Sequence, residues 1–260
     1  AQPTVAAMIE AQELSERFRD HQLISGISVA FEKGRVNQVI GRSGSGKSVL
    51  AKCIVGLFNP EEGEVLYDGR SFHDMDIESK REVRQEIGML FQSSALFDSM
   101  TVLENVMFPL KMFAHMSPVE MRERAMHCLQ RVKIEGKEKL YPAELSGGMQ
   151  KRVGIARAIA NEPKYLFCDE PNSGLDPQTA IVIDELIAEI TEEDQTTTIV
   201  ITHDMNSVME IGANIMFIHE GRKWWQGSRE DLLRSDNKEL NEFIFAGGLM
   251  RQVRKALTGE

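Results

Sequence analysis

Long hydrophobic runs are absent from this 260-residue sequence, whose apolar stretches are only a handful of residues long. A helix that crosses a bilayer needs about 20 consecutive apolar residues, so we expect no membrane-spanning segment. A basic surplus is also absent, because 40 Asp and Glu residues outnumber 30 Lys and Arg and give a net charge of −10. Nucleic-acid binding depends on clustered Lys and Arg, and we therefore expect no nucleic acid as the main partner.

Cysteine is scarce, with only Cys53, Cys128 and Cys168 in the whole sequence. Their odd number and wide spacing fit neither a disulfide framework nor a metal-ligand motif. Cys53 and Cys168 fall inside predicted apolar elements and are interpreted as small buried hydrophobic residues. We expect a reducing, cytoplasmic compartment, since the N-terminus also has no segment typical of a signal peptide.

What the sequence does contain is a glycine-rich segment that ends in a Lys-Ser pair. Such a turn points backbone N–H groups at phosphate oxygens, and the helix that follows adds the positive end of its dipole. Lys47 is expected to reach the β- and γ-phosphates, and the Ser48 hydroxyl to hold Mg²⁺. The alternative is a glycine-rich turn with an accidental Lys and Ser. The predicted nucleotide-binding residues here are Gly41, Arg42, Ser43, Gly44, Ser45, Gly46, Lys47, Ser48 and Val49.

The flanking pattern favours the phosphate-binding interpretation. Residues 36–40 predict a strand, and a helical apolar face follows the glycines. That face comprises Val49, Leu50, Cys53, Ile54 and Leu57. The strand, loop and helix that the motif requires are therefore predicted in the right order.

Strands and helices alternate on both sides of a more helical middle, which is typical of an α/β fold. Strands are predicted at 27–31, 64–67, 87–91, 165–168, 198–201 and 215–218, and the last three are apolar runs typical of buried parallel strands. Asp68-Gly69 predicts a hairpin turn. Between about 93 and 160 strand signals disappear, and Ser117 to Glu120 forms a capping box with proline at the first helical position.

The domain organisation follows from these elements. Residues 1–7 precede Met8 and are interpreted as a remnant of expression, residues 8–230 as one large domain, and residues 231–260 as a C-terminal helical tail. The helical middle, about 93–160, is interpreted as an inserted subdomain. Gly221 and Gly227 bracket a predicted hairpin with two tryptophans, of which one is expected to face inward.

Acidic and polar residues follow the predicted strands. Asp169 ends a buried strand, where its carboxylate could hold Mg²⁺, and Glu170 could polarise an attacking water. His203 follows another strand and could contact the γ-phosphate, although a histidine there can equally be structural. Gln92 at the end of its strand has no required role when taken alone.

Six segments stand in an order that resembles the nucleotide-binding subunit of an ABC (ATP-binding cassette) transporter: 41–48, Gln92, 145–148, 165–170, 173–176 and 201–203. The resemblance covers about Leu14 to Gly227. It implies a P-loop NTPase fold with a RecA-like core, an antiparallel β subdomain and an inserted helical subdomain. It also implies ATP and Mg²⁺ as cofactors and ATP hydrolysis coupled to transport.

The resemblance also assigns roles to residues. Phe18 matches the aromatic that stacks on adenine, Gln92 the residue that touches Mg²⁺ and the attacking water, Glu170 the catalytic base and His203 the switch that stabilises charge. Catalytic residues are thus Glu170, His203, Gln92 and Lys47, and metal ligands are Ser48, Gln92 and Asp169. Ser146, Gly147 and Gly148 match the signature that contacts the nucleotide of the opposite subunit, which implies a homodimer. Met149 departs from the Gln found in many members.

Residues 90–110 resemble the ATPase of Mla-type (maintenance of lipid asymmetry) phospholipid transporters, the MlaF-like group. This resemblance implies an MlaE-like membrane permease, an MCE-domain lipid-binding protein, a small regulatory subunit, and a peripheral position on the cytoplasmic face of the inner membrane. The same stretch could instead simply pack the helical subdomain. Two other functions stay open: the ATPase of an importer of polar solutes, and a soluble ABC ATPase outside transport.

Overall fold

The computed structural model describes residues 7–19 and 21–245. Apart from Ala7, the predicted N-terminal remnant lies outside these residues, as does the predicted tail beyond residue 245. The strands are β1 (Ala7–Phe18), β2 (His21–Glu32), β3 (Arg35–Ile40), β4 (Glu62–Tyr67), β5 (Arg70–Ser71), β6 (Ile87–Leu90), β7 (Tyr165–Asp169), β8 (Thr197–Thr202), β9 (Asn214–His219) and β10 (Arg222–Gly227). The helices are α1 (Lys47–Ile54), α2 (Ile77–Gln85), α3 (Val102–Phe113), α4 (Pro118–Arg131), α5 (Gly147–Ile159), α6 (Pro177–Asp194), α7 (Met205–Ile211), α8 (Arg229–Leu233) and α9 (Lys238–Ile244).

The described chain divides into two compact units. The first unit comprises residues up to 32, 36–73 and those from 201 onward, and the second comprises 33–35 and 74–200. No helix in the described part of the chain is both long enough and apolar enough to span a bilayer.

The first unit contains an antiparallel sheet in the order β2-β1-β4-β5. The predicted turn at Asp68-Gly69 joins β4 to β5, with both residues at positive φ (50° and 74°) and Tyr67 paired with Arg70. These dihedrals are typical of a type I′ hairpin turn. The prediction of this hairpin is confirmed.

The same unit holds the strand order β10-β9-β3, in which β3 and β9 are parallel and β9 and β10 antiparallel. One face of these strands packs against α7, α8 and α9, and the buried residues include Ile40, Phe217, Leu232 and Leu240. Trp225 packs on this cluster while Trp224 is exposed. The expectation of one inward tryptophan is confirmed.

The predicted apolar face of α1 was wrong at its last residue. The helix ends at Ile54, and Leu57 is 62% exposed. Gly56 adopts φ +73°, and the N–H of Leu57 donates to the carbonyl of Lys52. This is the left-handed glycine termination that ends many helices, and it stops the helical period before Leu57.

The second unit contains the strand order β8-β7-β6, with β6 and β7 parallel in the register Leu90 to Cys168. Helices α3, α4 and α5 pack against one another through buried residues such as Val106, Leu110, Leu129 and Val153. The capping box at Ser117 is confirmed, because its hydroxyl accepts from Glu120 N and the Glu120 carboxylate accepts from Ser117 N.

All three cysteines are buried and none forms a disulfide. Burial raises the pKa of Cys53 and of Cys168 to about 12. A thiol with so high a pKa is almost entirely protonated at neutral pH and therefore a poor nucleophile. The interpretation of Cys53 and Cys168 as small hydrophobic core residues is confirmed.

Candidate functional site

The predicted phosphate-binding segment, residues 41–48, lies in the first unit between the end of β3 and the start of α1 and is called the cradle below. Gly46 is the N-cap of α1, adopts φ +107°, and provides no side-chain hydrogen bond to the helix. A Cβ at this position would lie 2.8 Å from Ile24 Cγ2 and 3.0 Å from Leu23 O. The helix therefore begins with N–H groups that no capping side chain occupies, and these can bind an anion.

Lys47 and Ser45 line the inside of this cradle. Lys47 is only 7% exposed, and its Nζ donates to Gly41 O at 2.7 Å and to Arg42 O at 3.0 Å. Ser45 Oγ is buried and has no hydrogen-bond partner among the described residues. An unsatisfied hydroxyl, an ammonium and an uncapped helix start together fit a polyphosphate, since each stabilises phosphate oxygens.

Phe18 and His203 belong to the same unit. Phe18 ends β1, is 63% exposed, and has the Arg19 guanidinium 5.5 Å from its ring centroid. It pairs with His21 on β2, and Ile24 of that strand approaches Gly46. The structure thus puts an accessible aromatic ring on the hairpin that borders the cradle. His203 is exposed and directly precedes Asp204, the N-cap of α7.

The second unit brings Gln92 and Glu170 to the ends of two neighbouring parallel strands. Leu90 of β6 is in register with Cys168 of β7, so the residues that follow each strand lie at the same edge. Gln92 Nε2 donates to Ser173 Oγ at 3.3 Å, and Ser173 N donates to Glu170 O at 3.1 Å. Glu170 adopts φ +48°, an uncommon backbone conformation for a residue with a side chain.

Lys151 is the residue in this cluster that was not predicted as part of the site. It lies on α5, is only 4% exposed, and its Nζ donates to Gln92 O and, at 3.4 Å, to Glu170 O. Burial lowers the pKa of Lys151, against the opposing attraction of Asp169 and Glu170. The sequence offered only a run of basic residues after the signature, which does not show which of them turns inward.

The signature residues form the start of α5. Ser146 is its N-cap and accepts from Met149 N at 3.3 Å, and no acidic residue stands in the first turn. Ser146 and Gly147 are exposed, whereas Gly148 is buried where a Cβ would lie 2.4 Å from Thr179 Cγ2. The helix therefore offers a positive dipole end at an exposed tip and packs against α6 through a glycine.

The predicted metal ligands are divided between the units: Ser48 lies in the first unit, and Gln92 and Asp169 lie in the second. Among the described residues, no group of three or more His, Cys, Asp or Glu side chains could hold a metal by itself. Mg²⁺ commonly binds through one or two carboxylates together with substrate phosphates and water. The Asp169 carboxylate is a ligand of the type that this mode of binding uses.

Comparisons with known proteins identify the family of this chain. Residues 24–173 match the family model described as ABC transporter. The chain is 36% identical over 236 residues to the probable ribonucleotide transport ATP-binding protein mkl of Mycobacterium leprae, with 91% of this chain and 68% of the relative covered. It is 39% identical over 242 residues to the methionine import ATP-binding protein MetN of Desulfitobacterium hafniense, with 91% and 71% covered.

Two solved structures are similar over most of their length. The ATP-binding cassette MJ0796, a dimer in a post-hydrolysis state bound to ADP and Pi, superposes with a TM-score of 0.77 at 32% identity, covering 85% of this chain and 99% of that one. CbiO1 of Clostridium perfringens, part of the ABC transporter complex cbiONQ, gives 0.82 at 29% identity, covering 97% and 99%. The predicted fold class is confirmed. This chain belongs to the ABC transporter family, as an ATP-binding subunit that uses ATP with Mg²⁺.

Proposed function

We propose that this chain is the ATP-hydrolysing motor of a transporter and works as a homodimer on the cytoplasmic face of the inner membrane. The observation that supports ATP hydrolysis is the cluster at the strand ends, in which Ser173 forms hydrogen bonds with both Gln92 and Glu170. The motor domain is proposed to span residues 8–230, with a helical subdomain at about 93–160. Residues 1–7 and 231–260 stand outside it.

Each site residue has a defined task in hydrolysis. Lys47 and the backbone of the cradle bind the phosphates, and Glu170 accepts the proton of the attacking water. Gln92 orients that water, and His203 donates to the oxygens on which charge builds up. Mg²⁺, when bound, neutralises charge on the β- and γ-phosphates. Phosphoryl transfer needs mostly positioning and electrostatic stabilisation, and polar side chains fixed at strand ends can provide both.

The exposed tip of α5 supports a dimer. Ser146 and Gly147 face solvent at a positive helix end, a surface suited to the phosphates of nucleotide bound by a second copy. Two ATP molecules would then bridge the two chains, each between the cradle of one copy and Ser146 of the other. The related cassette MJ0796 was solved as a dimer bound to ADP and Pi, which supports a nucleotide-bound dimer for this chain.

An apolar groove in the second unit supports attachment to a membrane permease. It has a volume of about 450 Å³, and its lining includes Phe91, Phe97, Phe108, Pro109 and Phe113. Phe97 packs against Phe108 with ring centroids 4.6 Å apart and ring planes tilted by 49°, and the Arg157 guanidinium lies 5.8 Å from the Phe97 ring centroid. A groove with exposed aromatic rings and an adjacent arginine suits a partner helix.

The proposed transported substrate is phospholipid, which would move between the inner and outer bacterial membranes. The proposed partners are an MlaE-like permease, an MCE-domain lipid-binding protein and a small regulatory subunit. The support is the resemblance of residues 90–110, which include the groove residues Phe91, Phe97 and Phe108. A second candidate is import of a polar solute. The MetN relative is named for methionine import and the mkl relative for ribonucleotide transport, and both names favour a polar solute.

A substitution at Glu170 tests the motor. Glu170→Gln removes the proton acceptor and keeps the shape of the side chain, so the variant should bind ATP, lose hydrolysis by about 100-fold or more and accumulate as an ATP-bound dimer. Single-turnover ATP cleavage and light scattering measure the two effects. Glu162→Gln is a matched control, because Glu162 lies in the same unit with nearly the same backbone conformation (φ +51°). Normal cleavage by Glu170→Gln would refute the assignment.

The identity of the transported substrate is tested in proteoliposomes that contain the chain with its permease. Phospholipid transport should follow ATP hydrolysis and stop with Glu170→Gln. Uptake of labelled methionine or a ribonucleotide, with no phospholipid movement, would select the importer instead. If the chain co-purifies with no membrane protein after detergent extraction, its role as a transporter subunit is wrong.

A further inference from the structure

The buried ammonium of Lys151 connects two segments that lie far apart in sequence. Its Nζ donates to the carbonyl of Gln92, 59 residues away, and to the carbonyl of Glu170, 19 residues away. Lysine offers three donors on a long flexible side chain and can therefore satisfy both oxygens at once. Both oxygens belong to the backbone, so the bonds constrain the course of the chain at Gln92 and Glu170 without engaging either side chain.

We propose that Lys151 is a positioning residue for hydrolysis, which holds the Gln92 loop and the Glu170 turn in one fixed relation. This inference rests on the roles proposed above for Gln92 and Glu170. Lys151 does not touch nucleotide in the proposal. It acts through the backbone of the two residues that orient and deprotonate water.

The backbone of Glu170 is the part of this cluster that most needs support. A residue with a side chain at φ +48° is strained, and such strain persists only where surrounding contacts impose it. The Glu170 carbonyl accepts from both Lys151 Nζ and Ser173 N. Loss of one of these bonds should let the turn relax and move the carboxylate away from the attacking water.

The position of Lys151 also connects the site to the signature. Lys151 lies on α5, whose N-cap is Ser146, so a shift of this helix shifts the ammonium with it. When a second copy engages the tip of α5, the same rigid helix can align Gln92 and Glu170 for cleavage. Lys151 thereby provides a physical path from dimer contact to the water-activating residues of the same chain.

A purely structural role is the alternative, and kinetics separates the two. A misplacement of about 1 Å at a catalytic group can cost about 100-fold in rate, while ATP binding at the cradle should not depend on it. Lys151→Met removes all donors at similar length, and Lys151→Gln keeps a shorter donor. Positioning predicts that kcat falls about 10- to 100-fold for Met and less for Gln, with KM for ATP unchanged within about threefold.

The experiment uses the full chain with MgATP, and each variant is first checked for a cooperative thermal transition. Arg131→Met is the matched control, because it removes a partly buried cation of the same unit that pairs with Glu193 and Asp194, at 2.9 and 2.8 Å. It should lose stability and keep kcat. If Lys151→Met does not fold, the Gln variant alone decides, since its kcat must still fall without a change in KM.

Two results would overturn the proposal: a normal kcat in folded Lys151→Met, or a loss of rate in Arg131→Met as large as in the Lys151 variants. These outcomes differ from a failure of the proposed function. If Glu170→Gln hydrolyses ATP normally, the roles of Gln92 and Glu170 are wrong regardless of the Lys151 result. If Glu170→Gln is inactive and Lys151→Met is normal, only the positioning role is wrong.

Discussion

At the scale of single residues, Gly46 and Glu170 both hold a backbone with positive φ, for different reasons. At Gly46 the neighbouring Leu23 and Ile24 leave no room for a Cβ, and the glycine adds no side chain to the helix start. Glu170 keeps its side chain and is held by hydrogen bonds to its carbonyl. The first residue is constrained by space and the second by contacts, so substitutions at the two positions should have different effects.

Substitution of Gly46 by Ala should cost both stability and nucleotide affinity. The new Cβ would lie 2.8 Å from Ile24 Cγ2 in addition to the strain at φ +107°. We expect a loss of more than about 1 kcal/mol in the free energy of unfolding and at least about a tenfold loss of ATP affinity, because the displaced loop and helix start bind the phosphates. Urea unfolding and titration with a fluorescent ATP analogue measure the two quantities.

Gly136→Ala is the matched control for that prediction. Gly136 adopts φ +75°, and no atom lies within 4 Å of the place where a Cβ would stand, so its substitution adds backbone strain without a clash. It should lose about 1 kcal/mol and bind ATP normally. Equal ATP affinity in both variants would show that the cradle does not depend on the geometry of Gly46.

At the scale of elements, two helices of the second unit begin with a serine N-cap and differ in the residues that follow it. Ser117 caps α4 and Ser146 caps α5, and each hydroxyl accepts from a backbone N–H at 3.3 Å. Pro118 follows Ser117, whereas two glycines follow Ser146. The exposed Gly147 leaves the α5 tip open to a close approach by another molecule, whereas Pro118 stands at the same position of α4.

The pair Ser146→Ala and Ser117→Ala separates capping from nucleotide contact. Each should lose about 1 kcal/mol of stability, the usual cost of an N-cap. Only Ser146→Ala should weaken ATP-dependent dimerisation, because a hydrogen bond to a charged group contributes about 1.5–3 kcal/mol and the dimer would lose two. The measurement is light scattering in the Glu170→Gln background. Dimerisation weakened equally by both substitutions would contradict a phosphate contact at Ser146.

Sequence predicts some elements of this fold better than others. The strands β7, β8 and β9 were predicted because each is a nearly continuous apolar run. β1 was not predicted, since bulges interrupt its alternation and Glu13 stands at φ +51°. Helix α6 was also missed, because its β-branched residues 181–183 suit a strand as well as a helix. The local sequence pattern does not predict an element whose conformation is determined by irregular strand pairing or by tertiary packing.

At the scale of the whole molecule, the order of motifs along the chain is more informative than any single motif. The cradle and His203 belong to the first unit, and Gln92, Ser146 and Glu170 belong to the second. Each motif taken alone has an ordinary structural explanation, and only their joint order indicated an ATPase cassette. Lys151 was not predicted as a site residue. Several basic residues follow the signature, and the tertiary packing that buries one of them has no recognisable sequence pattern.

The apolar groove around Phe97 and Phe108 predicts that the whole molecule attaches to a membrane permease. Phe97→Ala removes an aromatic ring that is 39% exposed and packs against Phe108. An aromatic anchor in an interface commonly contributes about 2 kcal/mol or more, so binding to the permease in detergent should weaken by about 30-fold. ATP hydrolysis by the isolated chain should be unchanged, because the cradle and the Glu170 cluster are intact.

Phe58→Ala is the control that makes this result interpretable. Phe58 is 38% exposed and has Lys52 Nζ 5.2 Å from its ring centroid, much as Phe97 has the Arg157 guanidinium, but it lies in the other unit and outside the groove. It should bind the permease like the unchanged chain. If Phe97→Ala also binds normally, the groove is not the docking surface. If both Phe97→Ala and Phe58→Ala lose binding, the permease binds to exposed aromatic surface in general and not specifically to this groove.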